Sequence, residues 1–168
     1  MNSVLRSVSA LCLGVLAGAA AAAEFDTTVA LQNKGKATYY VSGQIPGMGP
    51  VDLMVDTGSG YTTINEETLE ALRASGRARY VRDLVGVLAN GSKMVVKIYS
   101  VSAINIGGDC WVHDVEAAVF PGRTRHILGL NALAKTAPFI FSIDPPELVL
   151  SNCSATPPAA ETAASSVS

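Results

Sequence analysis

The segment Val51-Asp52-Leu53-Met54-Val55-Asp56-Thr57-Gly58-Ser59-Gly60 constrains this chain more than any other. An apolar run built around Leu53 and Val55 leads straight into Asp-Thr-Gly-Ser, and Tyr61-Thr62-Thr63-Ile64 restarts a strand at once. Strands disfavour Asp, and an isolated Asp-Thr-Gly reads as a strand-ending turn. Held between two packed strands, the same tripeptide becomes a tight loop. Its backbone N–H groups can then aim at the Asp56 carboxylate while the scaffold keeps it still.

The rest of the chain supplies strands for such a scaffold. Tyr39 to Ile45 is rich in aromatic and β-branched residues, Pro46-Gly47-Met48-Gly49-Pro50 is a turn, and Val51 to Val55 completes a hairpin. A second hairpin is predicted from Leu84–Leu88 and Met94–Ile98 around Ala89-Asn90-Gly91-Ser92, because Asn-Gly tolerates the positive φ of a tight turn. Tyr99 to Ile106, Trp111 to Phe120, Phe139 to Ile143 and Leu148 to Leu150 read as further strands, and His126 to Gly129 is short and apolar. One helix is predicted from Asn65 to Ala74. Asn65 caps it, Glu66 and Glu67 suit its first turn, Leu69 and Leu72 share a face, and Gly76 ends it. A second, short helix is expected at Asn131 to Lys135.

The two ends read differently from the middle. Arg6, the apolar run Val8 to Leu16 and the small residues Ala21-Ala22-Ala23 fit a secretory signal over residues 1–23, with Glu24 the first mature residue. A non-cleaved anchor is the alternative. Residues 154–168 carry one large aliphatic, Val167, and no aromatic, so they cannot bury enough apolar surface to order themselves. One domain, residues 24–153, remains. Export predicts a periplasmic or secreted protein with no membrane attachment after cleavage.

Charge is uninformative about partners, and no nucleic-acid partner is expected. Without Arg6 the 12 basic residues become 11 against 14 acidic ones. The basic cluster Arg73, Arg77, Arg79 and Arg82 lacks interleaved aromatics and reads as a solvated helix-and-loop face. His113 and His126 lack metal-ligand spacing, so neither a metal nor another cofactor is expected. Cys12 leaves with the signal. Cys110 and Cys153 form an even pair in an exported chain, which permits a disulfide.

The Asp56-Thr57-Gly58-Ser59 loop in its strand context resembles the active-site loop of the retropepsin-like aspartic proteases. Downstream, Ile127-Leu128-Gly129 resembles the family's second hallmark, which packs beside that loop. Leu130 to Leu133 resembles its short helix, and Asn90-Gly91 falls where the family places its flap. The resemblance covers Tyr39 to Leu150, and the whole chain is most similar to exported bacterial proteins of this kind. It implies an all-β fold: a closed barrel or sandwich with one or two short helices and a flap hairpin. It also implies that Asp56 is the catalytic carboxylate, that Thr57 bonds to the partner's loop, that Gly58 permits close backbone approach, and that the Ser59 hydroxyl bonds to the Asp56 carboxylate. Gly60 departs from the family pattern, where a small residue with a Cβ is usual.

Peptide hydrolysis of this type needs two carboxyl groups sharing a proton: the ionised one activates water and the protonated one donates towards the carbonyl oxygen. The chain holds one Asp-Thr-Gly. Two chains are therefore expected to form a homodimeric endopeptidase acting on peptides or proteins. The alternatives are a catalytically silent dimer of the same fold that binds peptides or serves in assembly, and an unrelated small β-barrel.

Overall fold

The computed structural model describes residues 25–35, 37–87 and 90–158. The expected signal segment, residues 1–23, and residues 159–168 of the expected tail lie outside the described residues.

The first strands are β1 (Thr27–Ala30), β2 (Gln32–Asn33), β3 (Tyr39–Ile45) and β4 (Gly49–Val55). They are followed by β5 (Thr62–Asn65) and helix α1 (Glu66–Ala74). The long hairpin is β6 (Ala78–Val87) and β7 (Lys93–Ile106). After it come β8 (Cys110–Phe120), β9 (His126–Leu128) and helix α2 (Leu130–Leu133), which runs into a 3-10 turn at Ala134–Thr136. The strands β10 (Ile140–Ile143) and β11 (Pro146–Leu150) close the sequence of elements.

The central sheet runs β2-β3-β4-β9-β5-β8-β7-β6, and β3 also pairs with β7. That extra pairing, Gly43 with Ile106 and Gln44 with Asn105, rolls six of the strands into a closed barrel. Closure demands glycine at position 43, because a Cβ there would lie 2.2 Å from the Asn105 carbonyl oxygen. Leu53, Ile64, Ile104, Leu128 and Leu133 are fully buried in the main core. A smaller apolar cluster of Val96, Ile98 and Ala118, flanked by Tyr61, Leu84 and Phe120, sits at the base of the β6–β7 hairpin.

The all-β prediction holds. Helix α1 is capped as its sequence predicts: the Asn65 side chain accepts from the Thr68 N–H, and Gly76 has a φ of 68°. The N–H of Arg77 reaches Leu72 O and that of Gly76 reaches Arg73 O, the paired bonds that satisfy a helix C-terminus.

Three elements differ from expectation. The strand expected to begin at Leu84 begins at Ala78, so Arg79 and Arg82 stand on β6 and not in a loop. Pairing with β7 from Ala78↔Val101 onward extends it. The short strands β1 and β2 have no signal in their own sequence. The order of β1 comes from pairing with the far end of the chain, Val29 opposite Leu148. Beyond Cys153, Ser154 and Trp111 exchange backbone hydrogen bonds, which carries the ordered chain into the segment expected to be tail. Cys110 and Cys153 are joined in a disulfide with Cα atoms 4.8 Å apart, next to that bridge.

Candidate active site

Strands β4 and β5 follow one another in the chain but are not neighbours. β9 lies between them, parallel to β4 through Val55↔Leu128 and antiparallel to β5 through Thr63↔Ile127. The connection from Asp56 to Tyr61 must therefore arch over the end of β9. It is tied down on both sides: Asp56 N–H donates to Leu128 O at 3.2 Å, and Leu130 N–H donates to Ser59 O at 2.8 Å. Gly129 occupies the crossing. A Cβ on it would stand 2.3 Å from Tyr61 O and 2.8 Å from Thr62 N. The Ile-Leu-Gly sequence is thus a half-buried Ile127 and a fully buried Leu128 on the strand, followed by the one residue small enough to pass under the loop.

Within the loop, Gly58 N–H donates to Asp56 Oδ1 at 2.9 Å, so one carboxylate oxygen is held by the backbone. A Cβ on Gly58 would approach that oxygen to 3.2 Å. The Ser59 hydroxyl corrects the expected pattern: it donates to Tyr61 O at 2.7 Å and not to the Asp56 carboxylate. A hydroxyl carries one proton, and the carbonyl at the far end of the same loop takes it. Thr57, Gly58 and Gly60 are exposed, while Asp56 and Ser59 are half-buried.

An apolar-walled groove of about 570 Å³ opens above the loop. Its floor is Asp56, Gly58 and Ser59, Ile127 and Tyr61 contribute from below, and residues 84–87 of β6 form the facing wall. Asp56 is the one carboxylate residue lining it among the described residues. Thr57, Leu128, Gly129, Asn90 and Gly91 do not line the groove. Leu128 and Gly129 instead support the loop from beneath. Asn90 and Gly91 form the tip of the hairpin whose arm does line it. There the Asn90 side-chain oxygen accepts from both the N–H and the hydroxyl of Ser92, and Gly91 has a φ of 80°.

Two supports were not legible as such in the sequence. Asn131 accepts from Thr62 N–H at 2.7 Å and from the Thr62 hydroxyl at 2.9 Å, and it donates to Glu116 O, so α2, β5 and β8 are locked together directly behind the loop. A polar residue inside the apolar run Leu128-Gly129-Leu130-Asn131-Ala132-Leu133 is the one local hint. The other support is Arg82. Its guanidinium grips both oxygens of Glu116, at 2.8 and 2.7 Å, and donates to the Tyr61 hydroxyl at 2.9 Å. The hydrogen bonds from Arg82 hold the Glu116 carboxyl below the usual carboxylate range. Elsewhere, His126 Nε2 meets the Thr68 hydroxyl at 2.7 Å, and burial pushes its imidazole below the usual range.

Residues 41–135, 95 of the 168, match the sequence profile of the family described as "gag-polyprotein putative aspartyl protease". The chain belongs to this family of retropepsin-like aspartic proteases. Its fold is similar to the crystal structure of a retropepsin-like aspartic protease from Rickettsia conorii, with a TM-score of 0.52 and 20% sequence identity over 74% of this chain and 88% of the other. No curated protein matches the chain. Membership supports a protease-type function for this retropepsin-like chain. Among the described residues, no group of three His, Cys, Asp or Glu side chains could hold a metal ion, and no helix is long and apolar enough to cross a membrane.

Proposed function

We propose that the protein is a homodimeric aspartic endopeptidase in which Asp56 of each chain supplies half of one active site. The observation that carries this reading is the single carboxylate at the floor of the groove. Asp56 is presented by a loop fastened on both sides to β9 and α2, and the groove above it, about 570 Å³, is lined mainly by apolar side chains. No other acidic residue lines that groove among the described residues. Several acidic side chains elsewhere are engaged: Asp52 pairs with Lys34, Asp83 accepts from Tyr80, and Glu116 is held by Arg82.

In the proposed reaction the ionised member of the Asp56 pair takes a proton from water, which attacks the peptide carbonyl. The protonated member donates towards the carbonyl oxygen. Gly58 N–H fixes the orientation of each carboxylate, and exposed Thr57 is free to bond across to the second loop. The three-stranded sheet β1-β11-β10 supports the dimer, because β10 has a free edge among the described residues and exposes Ile140 and Ile143. An apolar strand edge of that kind calls for a partner. The disulfide and the signal-like leader support an exported, oxidising location.

The test is incubation of the protein with a diverse peptide mixture, wild type against Asp56→Asn. New cleavage products with the wild type and none with the variant are expected. Equal cleavage by both would assign the activity to other residues, and no cleavage by either would leave a peptide binder of this fold.

A further inference from the structure

Resting on the protease reading, we propose that Tyr61 is the specificity-determining wall of the groove, and that Arg82 and Glu116 are positioning residues that clamp Tyr61 and the hairpin strand β6 to the barrel.

Tyr61 is held at both ends. Its carbonyl accepts from the Ser59 hydroxyl and lies against Gly129, so its backbone is part of the catalytic loop. Its phenol oxygen accepts from Arg82, and the guanidinium carbon sits 6.0 Å from the ring centre. The ring between these anchors packs in the cluster with Leu84, Val96 and Phe120, all of which line the groove with it. With its hydroxyl turned back onto Arg82, the ring offers the groove a flat apolar surface. A substrate side chain entering beside Asp56 ends against it.

The position of Arg82 requires an irregularity in β6. Tyr80 pairs with Tyr99, but Arg82 pairs with Ile98, so Val81 is an extra residue in the strand. In an unbroken register Arg82 would stand opposite Lys97, like charge against like charge. The extra residue moves every following side chain to the other face. Arg82 and Leu84 then lie opposite Ile98 and Val96, both buried, and Asp83 takes the place opposite Lys97. Glu116 comes from β8, at Ser100↔Glu116 of the β7–β8 pairing, and its carbonyl holds Asn131 behind the loop. The ion pair therefore joins the hairpin strand β6 to β8, the strand that backs the Asp56 loop. Both side chains retain about two-fifths of their exposure, 42% and 36%, so the value of the pair lies in its two-pronged geometry more than in its charge.

The experiment has two arms on the whole protein. The first is hydrogen exchange of the ligand-free protein with Arg82→Met and Glu116→Gln. Loss of the clamp is expected to raise exchange in residues 81–87 and 94–99 by roughly tenfold or more, with β4 and β9 unchanged. Unchanged exchange in the hairpin overturns the clamp. The second arm measures binding of non-cleavable peptides with a reduced –CH2–NH– bond, their flanking residue graded from Ala through Leu and Phe to naphthylalanine. Tyr61→Ala is expected to shift the preference towards larger side chains by about tenfold, while Tyr61→Phe keeps the wild-type order. The same order in Tyr61→Ala as in wild type overturns the role of Tyr61, and Tyr61→Leu repeats the comparison should alanine unfold the protein. Binding of these peptides with no cleavage of the parent peptides that keep the amide bond overturns the protease reading alone. Cleavage by wild type with an unaltered order in the variant overturns this proposal alone.

Discussion

Gly129 passes beneath Tyr61 so closely that a Cβ on the glycine would lie 2.3 Å from the Tyr61 carbonyl oxygen. This contact couples the strand β9 to the Asp56 loop, and the loop cannot yield without pulling Ser59 and Asp56 out of their bonds to Leu130 and Leu128. Gly129→Ala is therefore expected to destabilise the fold by about 1–3 kcal/mol, as overpacking of a close-packed interior does. It should also lower activity by more than the unfolded fraction explains. Urea unfolding and active-site titration on the same preparation check both. Wild-type activity and stability in the variant would mean that the loop is free to move.

The dimer makes a sharper demand. If each site takes one Asp56 from each chain, mixing wild type with excess Asp56→Asn under subunit exchange should suppress activity, since Asn cannot ionise to serve as the base. Specific activity should also fall on dilution through the dimer dissociation constant. Activity that tracks wild-type concentration alone, with exchange demonstrated, would direct the search for a second carboxylate to Asp52 and Asp144.

The hairpin wall at residues 84–87 faces the loop across the groove. A bound peptide is expected to hold the hairpin down and protect its tip, near Asn90 and Gly91, from limited proteolysis. Equal cleavage there with and without a tight peptide ligand would count against a closing flap.

His126 gives the fold a pH dependence with a fixed sign. Burial depresses its folded-state pKa, so the unfolded chain binds the proton first as the pH falls. Its contribution to stability is fully present above the unfolded value of about 6.5 and declines as the pH drops below it. Unfolding free energies at pH 7.5 and 5 should differ more in wild type than in His126→Gln. An identical difference in both would show that His126 does not carry this dependence.

The disulfide joins Cys110 and Cys153 across a sequence separation of 43 residues. Replacing both cysteines by alanine should cost about 2–4 kcal/mol, chiefly by freeing the unfolded chain. Denaturant unfolding of the double variant reads this directly. Thiol titration of the denatured, non-reduced protein should find neither cysteine free.

Asp56 and Gly58 could be located from the sequence because the loop between two strands is closed locally, by the Gly58 N–H on the Asp56 carboxylate. Gly129 was located through the family resemblance of Ile127-Leu128-Gly129, while its reason for being glycine, the crossing beneath Tyr61, is a tertiary contact. The cap of α1 at Asn65 and the turn at Asn90-Gly91 were legible because neighbours in the chain satisfy their hydrogen bonds. The short strand β1 was not, since its order depends on Leu148 and Leu150, which no local pattern around Thr27 encodes. Tertiary structure also decided what Arg82 does. In the sequence it is one of four arginines on a solvated stretch; in the fold, one extra residue in β6 turns it inward onto Glu116 and Tyr61. The hydroxyl of Ser59 was decided in the same way, by which acceptor the arched loop brings nearest. Sequence thus fixed the residues whose conformation is set by their immediate neighbours. Long-range strand pairing fixed the partners of polar groups, because a side chain with several possible acceptors takes the one that packing delivers.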